Sequence, residues 1–562
     1  MMGFTRARPA WAVIGAAALY ACSGGGGSDS ENAPPVTTAP PPAGPSGPVQ
    51  QAEAADFAEE AVLRGLTHRT AYTPAVGPME RQYAGGAASG DVDGDDDLDL
   101  VVVGGDGHAN RLYLNNGSGS FTESAAAAGI AFTKSATENH PHSGPALADM
   151  DGDGDLDLFL GGLGGAPSMI FENDGSGAFS DATAGSGLEF MTSVNSISAA
   201  FGDYDLDGDL DLALAHWGTP RDQDFPGETE TLWRNDSDSS GIRFTAVSAP
   251  ANISAGLDLG STVGVLGEDH DYSFAPSFVD LDGDRYPELL MVADFGTSNV
   301  FRNNGDGTFS KMTDRAVIND SNGMGSAVGD YDRDGDFDWF VSSINGNRLY
   351  ENTDGDFATS SVYLDIESGG WGWGSCFADF NADGYTDIYQ TNGWFANDPP
   401  GASDYQTDPS HLWMNSGGRG FSDLAGASNM LDRKQGRAVV CDDFTGDGAV
   451  DALLLTYDQQ QQQYLWVNQQ TDHNFLKVRL EGLPPNTQGI GARVAVSAGG
   501  ATQYGLVTIN SGFTAHGSTE QLFGLGDADT VSGVEVIWPD GLTSIIANPA
   551  ANSTLTIRHP SL

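Results

Sequence analysis

Residues 149–157 read DMDGDGDLD, with aspartate at positions 1, 3, 5, 7 and 9 of the stretch. So many carboxylates in one tight turn repel one another unless positive charge sits among them. Six further copies occur: DVDGDDDLD from 91, DYDLDGDLD from 203, DLDGDRYPE from 280, DYDRDGDFD from 330, DFNADGYTD from 379 and DFTGDGAVD from 443. Side chains at positions 1, 3 and 5 point into such a turn, position 7 offers a backbone carbonyl, and position 9 closes the set. Hard oxygens in that number suit calcium, which takes six to eight of them at roughly 2.3–2.6 Å. Glycine at position 6 permits the bend, because it adopts positive φ without penalty. The expected ligands are Asp91, Asp93, Asp95 and Asp99; Asp149, Asp151, Asp153 and Asp157; Asp203, Asp205, Asp207 and Asp211; Asp280, Asp282, Asp284 and Glu288; Asp330, Asp332, Asp334 and Asp338; Asp379, Asn381, Asp383 and Asp387; and Asp443, Thr445, Asp447 and Asp451. An EF-hand is excluded. It needs an acid at position 12 and flanking helices, whereas position 12 here is Val102, Leu160, Leu214, Met291, Val341, Gln390 or Leu454, between β-type runs.

The copies differ in ways that grade them. Asp96 stands in the glycine place of the first, and aspartate adopts positive φ at modest cost. Thr445 is a neutral ligand in the seventh. The fourth has Arg285 in the glycine place and Glu288 at its end, so six loops are expected to take calcium readily and the fourth least. The metal's role is read as structural, tying strand to strand and stabilising the folded chain by linkage.

Such loops need strands to hold them. Upstream of each lies a short run of small residues, such as SGPALA (143–148) or GMGSAV (323–328); downstream comes an apolar run such as LDLFLGG (156–162). A third, aromatic-bearing run follows: NRLYLNN (110–116), SMIFEN (168–173), NVFRNN (299–304), NRLYEN (347–352), HLWMNS (411–416), YLWVNQ (464–469). A glycine turn then leads to a fourth element such as FSDATAGSGL (179–188). Seven units of four short antiparallel strands, about 50 to 75 residues apart, predict an all-β fold: a seven-bladed β-propeller over 56–471. Small residues suit inner strands crowded around a narrow channel. The seventh unit lacks a fourth strand, and residues 57–66 ahead of the first unit resemble one; pairing them closes the ring and removes an open edge.

On the face opposite the loops, the connections carry His140, His142, His216, Trp217, His270, Trp371, Trp373 and Trp394. Exposed aromatics beside polar groups suit stacking on a sugar or peptide, which makes these the candidate ligand-binding residues. Packing of long loops on the ring is the alternative for the tryptophans. Cys376 and Cys441 fall on expected inner strands and are read as buried free thiols, with a single bridge as the alternative in an exported protein. His411 reads as a strand-start surface residue and the glutamine run 459–463 as a polar turn. No nucleophile elbow, zincin motif or phosphate loop occurs.

A net charge of -54 argues against nucleic acid or anionic lipid as partners. Arg6 and Arg8, the apolar run 11–18 and the sequence Leu19-Tyr20-Ala21-Cys22 resemble a bacterial lipoprotein signal, 1–21, with Cys22 the lipid-modified residue. Residues 22–55 form a Gly/Ser/Pro-rich tether; Ser23 after the cysteine, by the same resemblance, implies outer-membrane sorting. The repeats resemble the FG-GAP/VCBS units of integrin α-chain propellers. GIGARV (489–494) and FGLGDADTVSGVEVIWPDG (523–541) resemble an ASPIC/UnbV domain, here a small C-terminal β-domain over 472–562. The combination resembles the cartilage acidic protein family and its bacterial relatives, which implies calcium binding outside the cell, adhesion or matrix interaction. The expected function is a non-catalytic, calcium-binding, lipid-anchored surface protein that binds an extracellular or periplasmic protein or polysaccharide. A propeller-fold carbohydrate-active enzyme and a structural component of an envelope complex are the alternatives.

Overall fold

The computed structural model describes residues 51–562 except 79, 222–227, 258–269, 345, 360, 362–363, 395–401 and 458–462. The lipoprotein signal, Cys22 and positions 459–462 of the glutamine run lie outside the described residues. Seven sheets follow one another, each with four antiparallel strands and the first joined by a fifth, parallel strand, and each is led by a largely buried inner strand: Ala87–Gly90, His142–Ala148, Ser198–Gly202, Ser273–Val279, Gly323–Gly329, Gly372–Ala378 and Gly436–Asp442. Every acidic loop joins such a strand to the next one out. Neighbouring inner strands touch in cyclic order, the first meeting the last, so the sheets form a closed propeller ring. Crowding at the centre explains the small residues. A Cβ on Gly144 would lie 2.3 Å from the Ile197 carbonyl oxygen of the next sheet.

The last sheet takes its outermost strand from the N-terminal segment. Phe57–Glu59 pairs antiparallel with Tyr464–Asn468, Phe57 opposite Asn468, which is the ring closure that residues 57–66 predict. One expectation fails here. Cys376 and Cys441 are not free thiols but a disulfide, with Cα atoms 6.5 Å apart. They sit on adjacent inner strands, and packing around a narrow axis sets them side by side although 65 residues separate them in the chain.

The C-terminal region forms two sheets, one ordered Gln521–Gly526, Asn474–Glu481, Ser553–Arg558, the other Ala501–Leu506, Arg493–Ala498, Val531–Ile537, Thr543–Ala547. It is more than an appended module. Its core residues Leu476, Val494, Val536 and Trp538 belong to one apolar cluster with Phe159, Phe201 and Leu210 of the propeller. Its segment 507–518 enters the channel that the inner strands enclose. The inward edges of those strands present unpaired amides, which a buried sheet edge must satisfy. Ile509 O accepts from Phe201 N (3.0 Å), Asn510 Oδ1 from Phe278 N (2.8 Å) and Gly512 O from Ser326 N (3.1 Å), while Ala515–His516 pairs in parallel with Ala87 and Ala88. The channel is plugged.

Candidate metal centres

The acidic loops share one hydrogen-bond plan. The position-1 carboxylate accepts amides from its own loop; Asp149, for example, accepts from Gly152 N (2.8 Å) and Gly154 N (3.0 Å), and Asp379 from Asp383 N (3.0 Å) and Gly384 N (2.7 Å). The position-5 Oδ1 accepts the amide of position 7, as Asp153 does from Asp155 and Asp447 from Ala449. The position-9 carboxylate is braced from both sides. Asp157 Oδ2 accepts from Met150 N (3.0 Å) and Oδ1 from Asn173 N (2.9 Å), and Glu288 in the fourth loop keeps the pattern with Leu281 N (3.0 Å) and Asn303 N (3.3 Å). Position 6 is left-handed in every copy: Gly154 at φ 105°, and also Asp96 at 72° and Arg285 at 78°. At Gly154 a Cβ would meet nothing within 4 Å, so the backbone angle alone selects glycine there.

The carboxylates that converge are those at positions 1, 3 and 9. One oxygen from each lies within 4.8 Å of the others in five loops: Asp91, Asp93 and Asp99; Asp149, Asp151 and Asp157; Asp203, Asp205 and Asp211; Asp280, Asp282 and Glu288; Asp330, Asp332 and Asp338. In the sixth and seventh loops Asn381 and Thr445 replace the middle acid. Burial raises the position-9 acids of these loops far above the carboxylate range. Asp157 is pushed up to about 8 by burial, with repulsion from Asp151 and Asp149 adding to it and the Asn173 and Met150 amides opposing it. Burial likewise raises Asp99 to about 7, Asp330 to about 7 and Asp379 to about 8, and holds Asp211, Asp338, Asp387 and Asp451 well above their ordinary value. Asp93 Oδ1, Asp205 Oδ1 and Asp280 Oδ1 are buried without a donor. Clustered acids raised by burial, with donorless oxygens among them, fit a cation: it would supply the missing partner and neutralise the repulsion. The fourth loop carries its own partial neutralisation, an ion pair from Arg302 to Asp282.

The sequence reading missed a recurring asparagine. Asn115, Asn173, Asn235, Asn303, Asn352, Asn415 and Asn468 end the third strands, and all are buried. Each donates its amide to the position-9 carboxylate of its own loop. Each Nδ2 donates to the position-2 carbonyl of the preceding loop: Asn173 to Val92, Asn235 to Met150, Asn303 to Tyr204, Asn352 to Leu281, Asn415 to Tyr331, Asn468 to Phe380 and Asn115 back to Phe444, at 2.7 to 2.9 Å. Seven side chains thus chain the loops into a circle.

The C-terminal sheets lie over the same face. Arg479 pairs with Asp96 (2.6 Å), Thr487 donates to Asp149, Arg285 donates to Pro539 O (3.0 Å), Arg493 to Gly335 O, Gly526 N to Ala382 O (2.8 Å), and Lys477 pairs with Asp443 (3.1 Å). Residues 91–160, 149–214, 280–341 and 334–389 match the FG-GAP-like repeat, and residues 482–561 match the family described as ASPIC and UnbV. The chain carries FG-GAP-like repeats and an ASPIC/UnbV domain. It is similar to cartilage acidic protein 1 of Xenopus tropicalis, 30% identical over 293 residues, which is 47% of this chain and 42% of that protein. The human protein of that name is 29% identical over 284 residues, 47% of this chain and 41% of its own length. The match therefore spans less than half of these relatives. A lectin from Burkholderia pseudomallei aligns at TM-score 0.42 and 11% identity, over 68% of this chain and 95% of that one, a likeness too slight to argue from. The motifs that mark the ASPIC/UnbV domain are also its contacts with the FG-GAP loops: Arg493 of GIGARV on the fifth, the Gly526 amide of FGLG on the sixth, Pro539 of WPDG on the fourth.

The candidate residues of the opposite face are placed otherwise than expected. Trp217, Trp371, Trp373 and Trp394 are buried, the last the most accessible at 9%, in one cluster with Tyr83, Phe274 and Phe513 of the plug. Trp371 stacks on Trp394 at 4.5 Å, and Phe513 lies 5.1 Å from Trp373. These rings are the seat of the plug, not exposed platforms. His142 and His216 are fully buried, and His216 is held between Asn195 O and Glu230 O, both at 2.8 Å. His140 and His270 are half-buried. His411 opens a strand as expected, stacked on Trp413 and bonded to Asp423 Oδ2 at 2.8 Å.

Proposed function

We propose that this is a non-catalytic, calcium-binding surface protein, exported and lipid-anchored through Cys22, that binds an extracellular protein or polysaccharide. The observation that carries the reading is the convergence of three carboxylates in each of five loops, with a buried donorless oxygen in three of them, at Asp93, Asp205 and Asp280. Hard carboxylate and carbonyl oxygens select calcium among abundant cations. Bound calcium supplies positive charge to the loops whose carboxylates converge. The chain's part is to fix the loops: the position-1 and position-9 acids hold the turns by backbone amides, and the asparagine circle holds the turns to one another. Two further features support a binding protein over an enzyme. Of the candidate histidines, His142 and His216 are buried against a hydroxyl or carbonyls, out of reach of a substrate, and the acids that burial raises to about 7 or 8, such as Asp99, Asp157 and Asp330, belong to the metal loops. The ASPIC/UnbV domain covers the loop face, so a large partner meets the opposite face or the outer rim.

The test is thermal melting of the calcium-stripped chain before and after calcium is restored. A midpoint that rises with calcium concentration is expected. Identical melting curves, with no calcium retained after dialysis, would remove the reading. Anchoring is tested apart: Cys22→Ser moves the protein from the membrane fraction to the soluble one.

A further inference from the structure

The loop at 443–451 already has a positive charge of this chain inside it. Lys477, on the strand Asn474–Glu481, is 6% exposed, and its Nζ lies 3.1 Å from Asp443 Oδ2 and 3.1 Å from Glu520 Oε2. Asp443 is the position-1 acid, the counterpart of Asp91, Asp149, Asp203 and Asp330. Its Oδ1 accepts Asp447 N (3.1 Å), and its Oδ2 accepts Gly448 N (2.9 Å) together with the ammonium, so Oδ2 is fully engaged. Position 3 is Thr445, so the loop has one carboxylate fewer. A divalent ion placed among Asp443, Thr445 and Asp451 would share Asp443 with a buried ammonium, and at low dielectric that repulsion is severe. The donor set does not fit the metal that the other loops fit.

We infer that Lys477 is the resident cation of the seventh loop, which takes no calcium and serves as the socket into which the ASPIC/UnbV domain docks on the closing sheet of the ring. This rests on the calcium reading of the other loops and corrects the expectation that the seventh fills readily. Lys477 lies on one strand of a C-terminal sheet and Glu520 immediately precedes the neighbouring strand Gln521–Gly526, so the socket is complete only when that domain is seated. The plug enters beside it: Ser518 donates to Asp442 through both its amide (3.0 Å) and its hydroxyl (2.8 Å), one residue before the loop.

The test counts calcium per chain by equilibrium dialysis of the full folded protein at saturating calcium. Asp443→Asn is expected to bind as many ions as the wild type, while Asp330→Asn binds one fewer. Lys477→Met, which leaves Asp443 and Glu520 free, is expected to bind one more. Loss of one ion in Asp443→Asn, or an unchanged count in Lys477→Met, overturns the inference. Should Asp443→Asn fail to fold, Thr445→Ala replaces it: an unchanged count supports the socket and one ion fewer overturns it. A wild type that binds no calcium at all sinks the parent reading and this one together, an outcome distinct from loss at the seventh loop alone.

Discussion

Asn415 makes four hydrogen bonds at one strand end: its amide donates to Asp387 Oδ1 (2.7 Å), its Nδ2 donates to Tyr331 O (2.8 Å) and Thr386 O (2.9 Å), and its Oδ1 accepts from Gly418 N (2.8 Å). Substitution by alanine keeps the first and removes the partner of the Tyr331 and Thr386 carbonyls and of the Gly418 amide. An unsatisfied buried group costs about 1–3 kcal/mol, so Asn415→Ala is expected to destabilise the chain by about 2–4 kcal/mol in calcium, measured by chemical denaturation. A loss below about 0.5 kcal/mol would mean that water replaces the side chain and that the circle of asparagines contributes little. The residue was in plain sight, because every third run quoted from the sequence contains it. What concealed its role is spacing. The separation from position 9 to the asparagine runs from 14 to 28 residues, since the connection between second and third strands varies in length. The acids keep fixed internal spacing because they belong to one turn, and that is why they were legible and the asparagines were not.

Between elements, the strand order and the N-terminal latch followed from the repeat, whereas the plug and the disulfide did not. Residues 507–518, VTINSGFTAHGS, show neither alternation nor a helical period. Their partners are the edge amides of Phe201, Phe278, Ser326 and Ser375, the strand Ala87–Gly90 and the Asp442 carboxylate, each on a different sheet, and no local pattern encodes those. Phe513 at the tip is fully buried against Phe274 and Trp373, with φ at 152° and Thr514 after it at 38°. Because the tip is held in an uncommon backbone conformation, its anchoring must come from packing. Phe513→Ala is expected to cost about 3–5 kcal/mol, read as a lower urea midpoint; near-neutrality would show that the channel tolerates an empty tip. The disulfide joins the sixth and seventh inner strands beside that plug. Closing a 65-residue loop gives about 4 kcal/mol by the chain-entropy relation. The Cys376→Ser, Cys441→Ser double variant is therefore expected to melt lower than the wild type in non-reducing buffer and to match it in dithiothreitol. Equal melting in both buffers would mean that the two thiols do not join.

Across the whole molecule, the loops make stability a joint function of calcium and protons. Burial raises the folded-state values of Asp99, Asp157, Asp203, Asp330 and Glu288 to about 7 or 8, against an unfolded value near 4. Between about pH 4 and 8 the metal-free folded chain thus holds protons that the unfolded chain has released. Stability falls with rising pH wherever the folded state binds more protons, so the stripped protein loses stability as pH climbs through that window. Calcium needs the ionised form and displaces those protons, so its own contribution runs the other way and grows with pH. Melting of stripped and calcium-loaded protein at pH 5 and pH 8 separates the two. The stripped midpoint is expected to be lower at pH 8 than at pH 5, and the gap between loaded and stripped protein wider at pH 8. Lys477 refines the expectation, because the seventh loop adds nothing to the calcium trend, while its buried, raised Asp451 still shares in the proton trend. A gap of constant width would place the calcium on groups other than these buried acids, and a stripped midpoint that rises with pH would mean that the loop carboxylates are ionised and satisfied without any metal.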